Sequence, residues 1–350
     1  MRRFHYEELK NLRLPMTTVQ LISKINEYKG KQDLYKKQSP QILNTLREVA
    51  VIQSTKASNS IEGIIITDKR LKAIMQNHNT EPLDRSEGEI AGYRDVLNTI
   101  HSSYDVIPIN SNVLLQLHRD LYKFVSAEGG RWKQNDNYIK EKLPTGETYV
   151  RFVPTPAFQT PEAMNNLIEE YRERVNQQDV EPLILIAVFI LDFLCIHPFD
   201  DGNGRMARLL TLLLLYKFGY EVGRYISLEK VIEESKETYY ETLKRSSIGW
   251  HEGQNDIFSW TNYLLGTIVA AYKQLEERVG VVESRAGDKS ARVEEFIDKK
   301  IGYFTKEDIR NACPDVSEST INRVLNKLKE EQKIASTGKG RNAKWKKLEG

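Results

Sequence analysis

The chain is organised around one polar stretch, His197-Pro198-Phe199-Asp200-Asp201-Gly202-Asn203-Gly204-Arg205-Met206-Ala207-Arg208. Two of its most apolar runs flank this stretch, residues 183–190 before it and residues 209–215 after it. The runs predict two buried helices, and the first ends near Ile196 because a residue before proline avoids the helical conformation. The second begins near Asn203. A polar loop between two buried helices is held rigidly, as a reactive site requires.

The glycines and arginines of this stretch are suited to binding phosphate. Gly202 and Gly204 have no Cβ, so their backbone N–H groups can approach an anionic ligand closely. The helix that begins near Asn203 presents the positive end of its dipole at the same place. Arg205 and Arg208 are three residues apart, and this spacing predicts two cations on one helix face that hold successive phosphates.

The same stretch offers a metal ligand and a base. Asp201 supplies hard carboxylate oxygens, which suit a Mg²⁺ ion that bridges the phosphates of a nucleotide. His197 carries an imidazole, whose ordinary pKa near neutrality suits a general base. Together these groups predict phosphoryl or nucleotidyl transfer, in which positioning and charge neutralisation supply most of the catalysis.

The stretch resembles the Fic motif, His-x-Phe-x-(Asp/Glu)-Gly-Asn-Gly-Arg-x-x-Arg, and matches each of its fixed positions. The resemblance extends over residues 85–275. It implies a mainly α-helical fold, with a Fic-type core and a β-hairpin flap. It also implies a nucleotidyltransferase, a protein adenylyltransferase that transfers AMP from ATP to a Ser, Thr or Tyr hydroxyl and releases diphosphate. The branch of the family that phosphorylates instead has Ala-Asn-Lys in place of Gly-Asn-Gly, a pattern absent from this sequence.

The resemblance assigns a role to each matching residue. His197 would deprotonate the target hydroxyl, Phe199 would pack to seat the loop, and Asp201 would hold Mg²⁺. The nucleotide-binding residues implied by the motif are Gly202, Asn203 and Gly204 in an anion hole, and Arg205 and Arg208 at the β- and γ-phosphates.

Two further features gain a meaning from the resemblance. Residues 137–153 predict a β-hairpin, with strand formers on both sides of a turn that contains Pro144 and Gly146. In the family such a hairpin would bind the protein substrate by β-augmentation. Tyr239, which precedes Tyr240 on a later predicted helix, is similar to the family's tyrosine beside the adenine. The alternative is that both tyrosines are core residues.

An inhibitory motif lies near the N-terminus. Ser58-x-x-x-Glu62-Gly63 matches the pattern (Ser/Thr)-x-x-x-Glu-(Gly/Asn) of Fic proteins, at the end of a predicted helix. The resemblance implies that Glu62 pairs with Arg208 and takes the donor that the γ-phosphate needs, so the protein is self-inhibited. A second hypothesis is that Glu62 orients a water molecule that removes AMP from modified targets. The alternative is an ordinary helix end with a solvated glutamate.

The sequence predicts three regions. Residues 1–84 form an N-terminal helical region with the inhibitory motif, residues 85–282 form the Fic catalytic core, and residues 289–350 form a separate unit after a polar linker. The last unit predicts three helices and a basic hairpin, which resemble a winged helix-turn-helix. It contains fifteen basic and ten acidic residues. Residues of the basic wing would meet DNA phosphates; they are Lys339, Arg341, Lys344, Lys346 and Lys347. The alternative is a unit that binds protein or supports oligomerisation.

Composition constrains the partners and the cellular compartment of the protein. Lys plus Arg is 51 and Asp plus Glu is 49, so the net charge of +2 indicates no particular partner. The longest apolar run, residues 183–196, contains Asp192 and is short for a membrane span. Two distant cysteines do not make a disulfide framework, and the N-terminus shows no signal peptide. We therefore expect a cytoplasmic protein without a membrane partner.

Two other functions fit the same residues. One is a DNA-binding regulator whose Fic core senses a nucleotide without transferring a group. The other is transfer from a different donor, such as another nucleotide or a nucleotide-linked phosphocholine, because the motif binds phosphates and not the transferred group. The further partners that the resemblance implies are the protein itself, through autoadenylylation, and a second copy in a homodimer.

Overall fold

A computed structural model gives the structure of the chain, which is mainly α-helical. The described residues are 4–38, 40–76, 80–125, 129–142, 145–287, 289–299, 303–313, 316–337 and 343–348. They fall into two compact units, Met1–Leu275 and Glu276–Gly350. Among them, no helix is long and apolar enough to cross a membrane.

Helices α1 to α10 and the first part of α11 form the first unit, and a short hairpin lies between α5 and α6. Their bounds are α1 Met16–Gln38, α2 Pro40–Ile61, α3 Asp68–Gln76, α4 Arg85–Ser103, α5 Ser111–Leu121, α6 Thr160–Gln177, α7 Pro182–Ile196, α8 Asn203–Lys217, α9 Leu228–Glu234, α10 Lys236–Ser247 and α11 Phe258–Gly287. Short 3-10 turns lie at Tyr6–Asn11, Ala157–Gln159 and Val222–Arg224.

Helix α7 is the centre of the first unit, as its sequence predicts. Every residue from Leu183 to Ile196 is buried, because a helix that is apolar on all sides belongs in the interior. It packs against α6 and α8. The one charged residue, Asp192, accepts hydrogen bonds from Tyr6 Oη (2.8 Å) and Trp250 Nε1 (2.6 Å), which compensate for its burial. The helix ends at Ile196, before Pro198, which confirms the predicted boundary.

Helix α2 carries the inhibitory motif along a buried polar face. Ser54, Thr55, Ser58 and Asn59 are fully buried, and the helix packs against α4 and α9. The turn after it closes through Gly63 N, which donates to Ser60 O (2.9 Å). Gly63 has a φ of 84°, the left-handed conformation that glycine adopts most readily at a helix end.

The predicted hairpin is present as strands β1 Ile139–Lys142 and β2 Thr148–Phe152. They are antiparallel, with Lys140 opposite Val150 and Lys142 opposite Thr148. Residues 143–144 of the predicted turn lie outside the described residues.

The described residues of the second unit contain the end of α11, three further helices and a three-stranded sheet. Its elements are α12 Lys289–Lys299, β3 Tyr303–Phe304, α13 Lys306–Ala312, α14 Glu318–Glu330, β4 Ile334–Thr337 and β5 Lys344–Lys347. The antiparallel sheet has the order β3-β5-β4, and β3 is a strand that the sequence pattern did not predict. Lys339 and Arg341 of the predicted wing lie outside the described residues, so the assignment as a winged helix stays a prediction. The predicted linker is helical as far as Gly287, because α11 continues through it.

Candidate active site

His197 occupies the end of α7 in the left-handed conformation, with φ 53° and ψ 61°. Its Nδ1 lies 3.2 Å from Leu194 O. A carbonyl oxygen only accepts, so Nδ1 carries the proton and Nε2 keeps its lone pair. Burial lowers the pKa of His197 to about 4, more than the hydrogen bond to Leu194 raises it. At neutral pH the ring is therefore uncharged and able to take a proton through Nε2.

The motif loop, residues 197–202, is closed by hydrogen bonds across its base. Asn203 Oδ1 accepts from Phe199 N (2.9 Å), and Asn203 Nδ2 donates to Phe199 O (2.7 Å). The side chain of Asn203 thus stabilises the loop through two hydrogen bonds to Phe199, whereas the resemblance implied a place in the anion hole. Phe199 is fully buried and stacks on His118 with ring centroids 3.7 Å apart, the seating role that the motif implies.

The N-terminus of α8 provides an anion position, and Glu62 lies in it. Gly202 precedes the helix with a φ of 81°, a conformation that favours glycine. A Cβ added at Gly204 would overlap Glu62 Oε1 and lie 3.3 Å from Arg208 Nη1. Glycine at position 204 therefore leaves the space that the carboxylate occupies, and the helix dipole favours a negative charge there.

Arg208 joins this position to α2. Its Nη2 donates to Glu62 Oε1 (2.7 Å) and to Ser58 O (2.9 Å), and its Nε donates to Ser58 Oγ (2.8 Å). Both residues of the inhibitory motif thus contact the last arginine of the Fic motif. Arg208 Nη1 is buried without a hydrogen-bond partner among the described residues, so one donor of the guanidinium is left for a ligand.

The structure differs from the prediction at Arg205. This side chain is 1% exposed and does not line the cavity. Its Nη1 pairs with Glu89, and its Nη2 donates to Tyr122 Oη (2.8 Å). Residues three apart on a helix point in directions about 60° apart. Arg205 therefore faces Glu89 on α4 and Tyr122 after α5, while Arg208 faces α2, so the spacing does not place both guanidinium groups at the cavity.

Asp201 lies at the rim of the site. Its side chain is 58% exposed and its Oδ2 accepts from Arg85 Nη2 (2.9 Å), while its Oδ1 accepts from Gly202 N (2.6 Å). The described residues contain no group of three or more potential ligands that could enclose a metal ion. One exposed carboxylate fits Mg²⁺ only where substrate phosphates supply further ligands, which is the usual way that Mg²⁺ binds in nucleotide sites.

A cavity of about 180 Å³ brings most of these residues together. Its walls come from the turn after α2, the hairpin, the motif loop and α7, α8 and α10, and include Glu62, Arg151, His197, Arg208 and Tyr239. Tyr239 is 3% exposed, with its ring 5.7 Å from that of Trp260. It is therefore a core residue on one side and a cavity wall on the other.

Sequence reasoning missed four residues that surround the loop. His118 and Arg85 contact Asp201, and Lys133 and Asn137 contact backbone carbonyls between Ile196 and Phe199; all four precede the motif by at least sixty residues. His118 Nδ1 accepts from Gly130 N (2.9 Å), so its Nε2 donates to Asp201 O (3.1 Å). No local pattern in the sequence indicates that these four residues contact the loop.

Known proteins are similar to this chain in sequence and in fold. The model of the Fic/DOC family matches residues 108–215. "Protein adenylyltransferase Fic" of Nematostella vectensis is 24% identical over 244 residues, which cover 66% of this chain and 51% of the relative. The protein of the same name from Drosophila erecta is 25% identical over 269 residues, 73% of this chain and 50% of the relative. The chain thus spans about half the length of the curated relatives it matches.

A solved structure supports the fold over nearly the whole chain. A Fic family protein from Desulfovibrio desulfuricans superposes with a TM-score of 0.66 at 21% identity, and the alignment covers 96% of this chain and 97% of that chain. This likeness shows the fold. The family match spans the segment that builds the motif loop and both flanking helices. Residues 108–215 of the chain thus match the Fic/DOC family.

Proposed function

We propose that the protein is an adenylyltransferase that transfers AMP from ATP to a hydroxyl group of a protein. The observation that carries the proposal is the state of His197. Its ring is neutral, its Nδ1 is fixed by Leu194 O, and it lines a cavity that also contains the N-terminus of α8. A free Nε2 at an anion position is what attack of a hydroxyl on a phosphate requires.

The residues divide the reaction between them. His197 Nε2 takes the proton of the target hydroxyl, whose oxygen forms a bond to the α-phosphorus. The bond from that phosphorus to the bridging oxygen breaks, and diphosphate leaves with the electron pair. Backbone N–H groups at Gly202 and Gly204 and the dipole of α8 stabilise the added negative charge. Arg208, once free of Glu62, holds the terminal phosphates.

Asp201 is the residue that would hold Mg²⁺. Its exposed carboxylate fits an ion that takes its remaining ligands from phosphates and water, provided that Arg85 gives up its bond to Oδ2. Bound there, the ion would neutralise phosphate charge and favour departure of diphosphate.

The hairpin formed by β1 and β2 is the proposed place for the protein substrate. Tyr149 and Val150 on β2 are exposed, as is Lys140 on β1, and Ile139 and Arg151 reach the cavity that contains His197. A target segment that pairs with the hairpin would bring a hydroxyl towards that cavity. Segments of the protein itself are candidate targets as well.

Glu62 is the proposed inhibitor. Its carboxylate fills the anion position and binds the Arg208 donor that a phosphate needs, so ATP cannot align for attack while this ion pair persists. The variant Glu62→Gly should therefore incorporate labelled AMP in the presence of ATP and Mg²⁺, and Glu62→Gly/His197→Ala should not. Mass spectrometry of the first variant would identify the donor group and the modified residues. Equal labelling of the wild type and Glu62→Gly would refute self-inhibition.

The competing proposal is a DNA-binding regulator, in which the Fic core senses ATP without transferring a group and the second unit binds DNA. It predicts that Glu62→Gly binds ATP without incorporating AMP into any protein, so the same experiment decides between the two. A related proposal gives Glu62 a second task, the orientation of a water molecule that removes AMP. In that case Glu62→Ala should fail to demodify AMP-bearing targets, whereas intact demodification would exclude the task.

A further inference from the structure

Four consecutive carbonyl groups at the start of the motif loop accept hydrogen bonds from two residues outside the motif. Lys133 Nζ donates to Ile196 O (3.1 Å), and Lys133 N donates to Pro198 O (2.8 Å). Asn137 Nδ2 lies within hydrogen-bonding distance of His197 O (3.3 Å) and Phe199 O (3.0 Å). These carbonyls lie at or just after the end of α7, where the helix supplies no further N–H donors. Phe199 O also accepts from Asn203 Nδ2 (2.7 Å), and the two residues supply donors to all four.

The two side chains also fix each other. Lys133 Nζ donates to Asn137 Oδ1 (2.8 Å). An ammonium group only donates, so Oδ1 must face Lys133 and Nδ2 must face the loop. Lys133 is 2% exposed, and its burial lowers its pKa to about 8, with the nearby carboxylates of Asp136 and Asp200 acting in the opposite direction. The ammonium form therefore prevails at neutral pH and keeps its three donors.

The conformation of His197 needs such support. A residue other than glycine pays about 1–2 kcal/mol to adopt the left-handed region, and it stays there only where its surroundings determine the backbone. At His197 the carbonyl groups on both sides of the residue, and its own, are held from one short segment. That segment, residues 133–137, leads within two residues into β1 at Ile139.

We propose that Lys133 and Asn137 are positioning residues, which hold the His197 backbone so that its ring faces the cavity and which set the base in register with the hairpin. The inference rests on the proposed transfer of AMP. A base that is displaced by about 1 Å loses on the order of 100-fold in rate. Loss of either side chain should therefore act on kcat and leave the nucleotide-binding residues in place.

The first test is kinetic and uses the full chain with Glu62→Gly as parent. Lys133→Met and Asn137→Ala should lower kcat by about 30- to 100-fold with KM for ATP within about 3-fold of the parent. Lys133→Arg keeps a charged donor and should recover most of the loss. Lys29→Met is the matched control, because Lys29 Nζ also caps a helix end, at Phe218 O (2.7 Å), away from the cavity. Its kcat should equal that of the parent.

The second test does not depend on catalysis. Imidazole NMR signals of His197 in the nucleotide-free protein should shift and broaden in Lys133→Met and Asn137→Ala, and should stay unchanged in Lys29→Met. Unmoved signals together with parental kcat in both variants would overturn the inference, as would a rise in KM alone. If the parent itself transfers no AMP, the proposed function fails, and the NMR signals still decide whether the two residues position His197.

Discussion

Replacing Gly204 with alanine would test whether Glu62 occupies the anion position of α8. Gly204 lies in the first turn of the helix, where alanine suits the backbone. The added Cβ would nevertheless overlap Glu62 Oε1, which lies at the free end of a flexible side chain. The carboxylate must therefore move, and its bond to Arg208 Nη2 (2.7 Å) is lost while the backbone of α8 stays in place.

Two contributions of opposite sign determine the change in stability. Alanine in place of a helical glycine stabilises the folded state by about 0.5–1 kcal/mol. Loss of a hydrogen bond between charged groups costs about 1.5–3 kcal/mol, and the lower end applies because the Glu62 side chain is 32% exposed to screening solvent. Gly204→Ala should therefore lower the free energy of unfolding by about 1 kcal/mol, which corresponds to about 2–4 °C in Tm.

The sign should reverse when Glu62 is absent. In a Glu62→Ala background only the helix contribution remains, so the second substitution should raise Tm by about 1–4 °C. Differential scanning calorimetry of the four nucleotide-free proteins measures the coupling between the two sites as about 1.5–2 kcal/mol. If Gly204→Ala shifted Tm by the same amount and in the same direction in both backgrounds, Glu62 would not lie over the N-terminus of α8.

Three further predictions concern the charged groups of the site. The His197 ring should titrate in the nucleotide-free protein with a pKa of about 4, so its NMR signals should remain those of a neutral ring at pH 6; a protonated ring at that pH contradicts the effect of burial. Arg205→Met should lower the free energy of unfolding by about 3 kcal/mol, because it removes a partner of buried Glu89. A tenfold loss of ATP affinity, measured by calorimetry, would instead show that Arg205 binds the phosphates of ATP. Asp201→Asn should abolish the Mg²⁺-dependent part of ATP affinity. Arg85→Ala should increase that part, since Arg85 competes with the ion for Asp201 Oδ2. An unchanged Mg²⁺ dependence in both variants excludes Asp201 as a metal ligand.

Local chemistry made the central helix predictable. The run of apolar residues in α7 has no polar face to turn to solvent, and Pro198 fixes its end, so both its burial and its boundary follow from the sequence. The contact between Glu62 and Arg208 joins positions 146 apart, and no periodicity predicts it. It was expected only because two motifs of the same family occur in one chain.

Other features depend on tertiary packing, which local patterns do not contain. The spacing of Arg205 and Arg208 places them on neighbouring faces of α8, but which neighbours those faces meet is decided by α4, α5 and α2. Buried Glu89 needs cationic partners, and Arg205 and Arg85 supply them. In the same way, the carbonyls after α7 need donors, and nothing in the motif indicates that Lys133 and Asn137 provide them.

The architecture of α2 limits how the proposed inhibition by Glu62 can be relieved. Ser58 is fully buried and binds Arg208 through both its hydroxyl and its carbonyl oxygen, so withdrawal of the whole helix would break several bonds and expose polar groups. Glu62 lies beyond the helix, in the turn that Gly63 closes, and makes one bond to Arg208. Rotation of that turn frees the carboxylate at the lowest cost. ATP must compete with a tethered carboxylate, which acts at an effective concentration on the order of millimolar. Under the proposed inhibition, a partner that binds the turn after Ile61 and withdraws Glu62 would increase AMP transfer at a given ATP concentration.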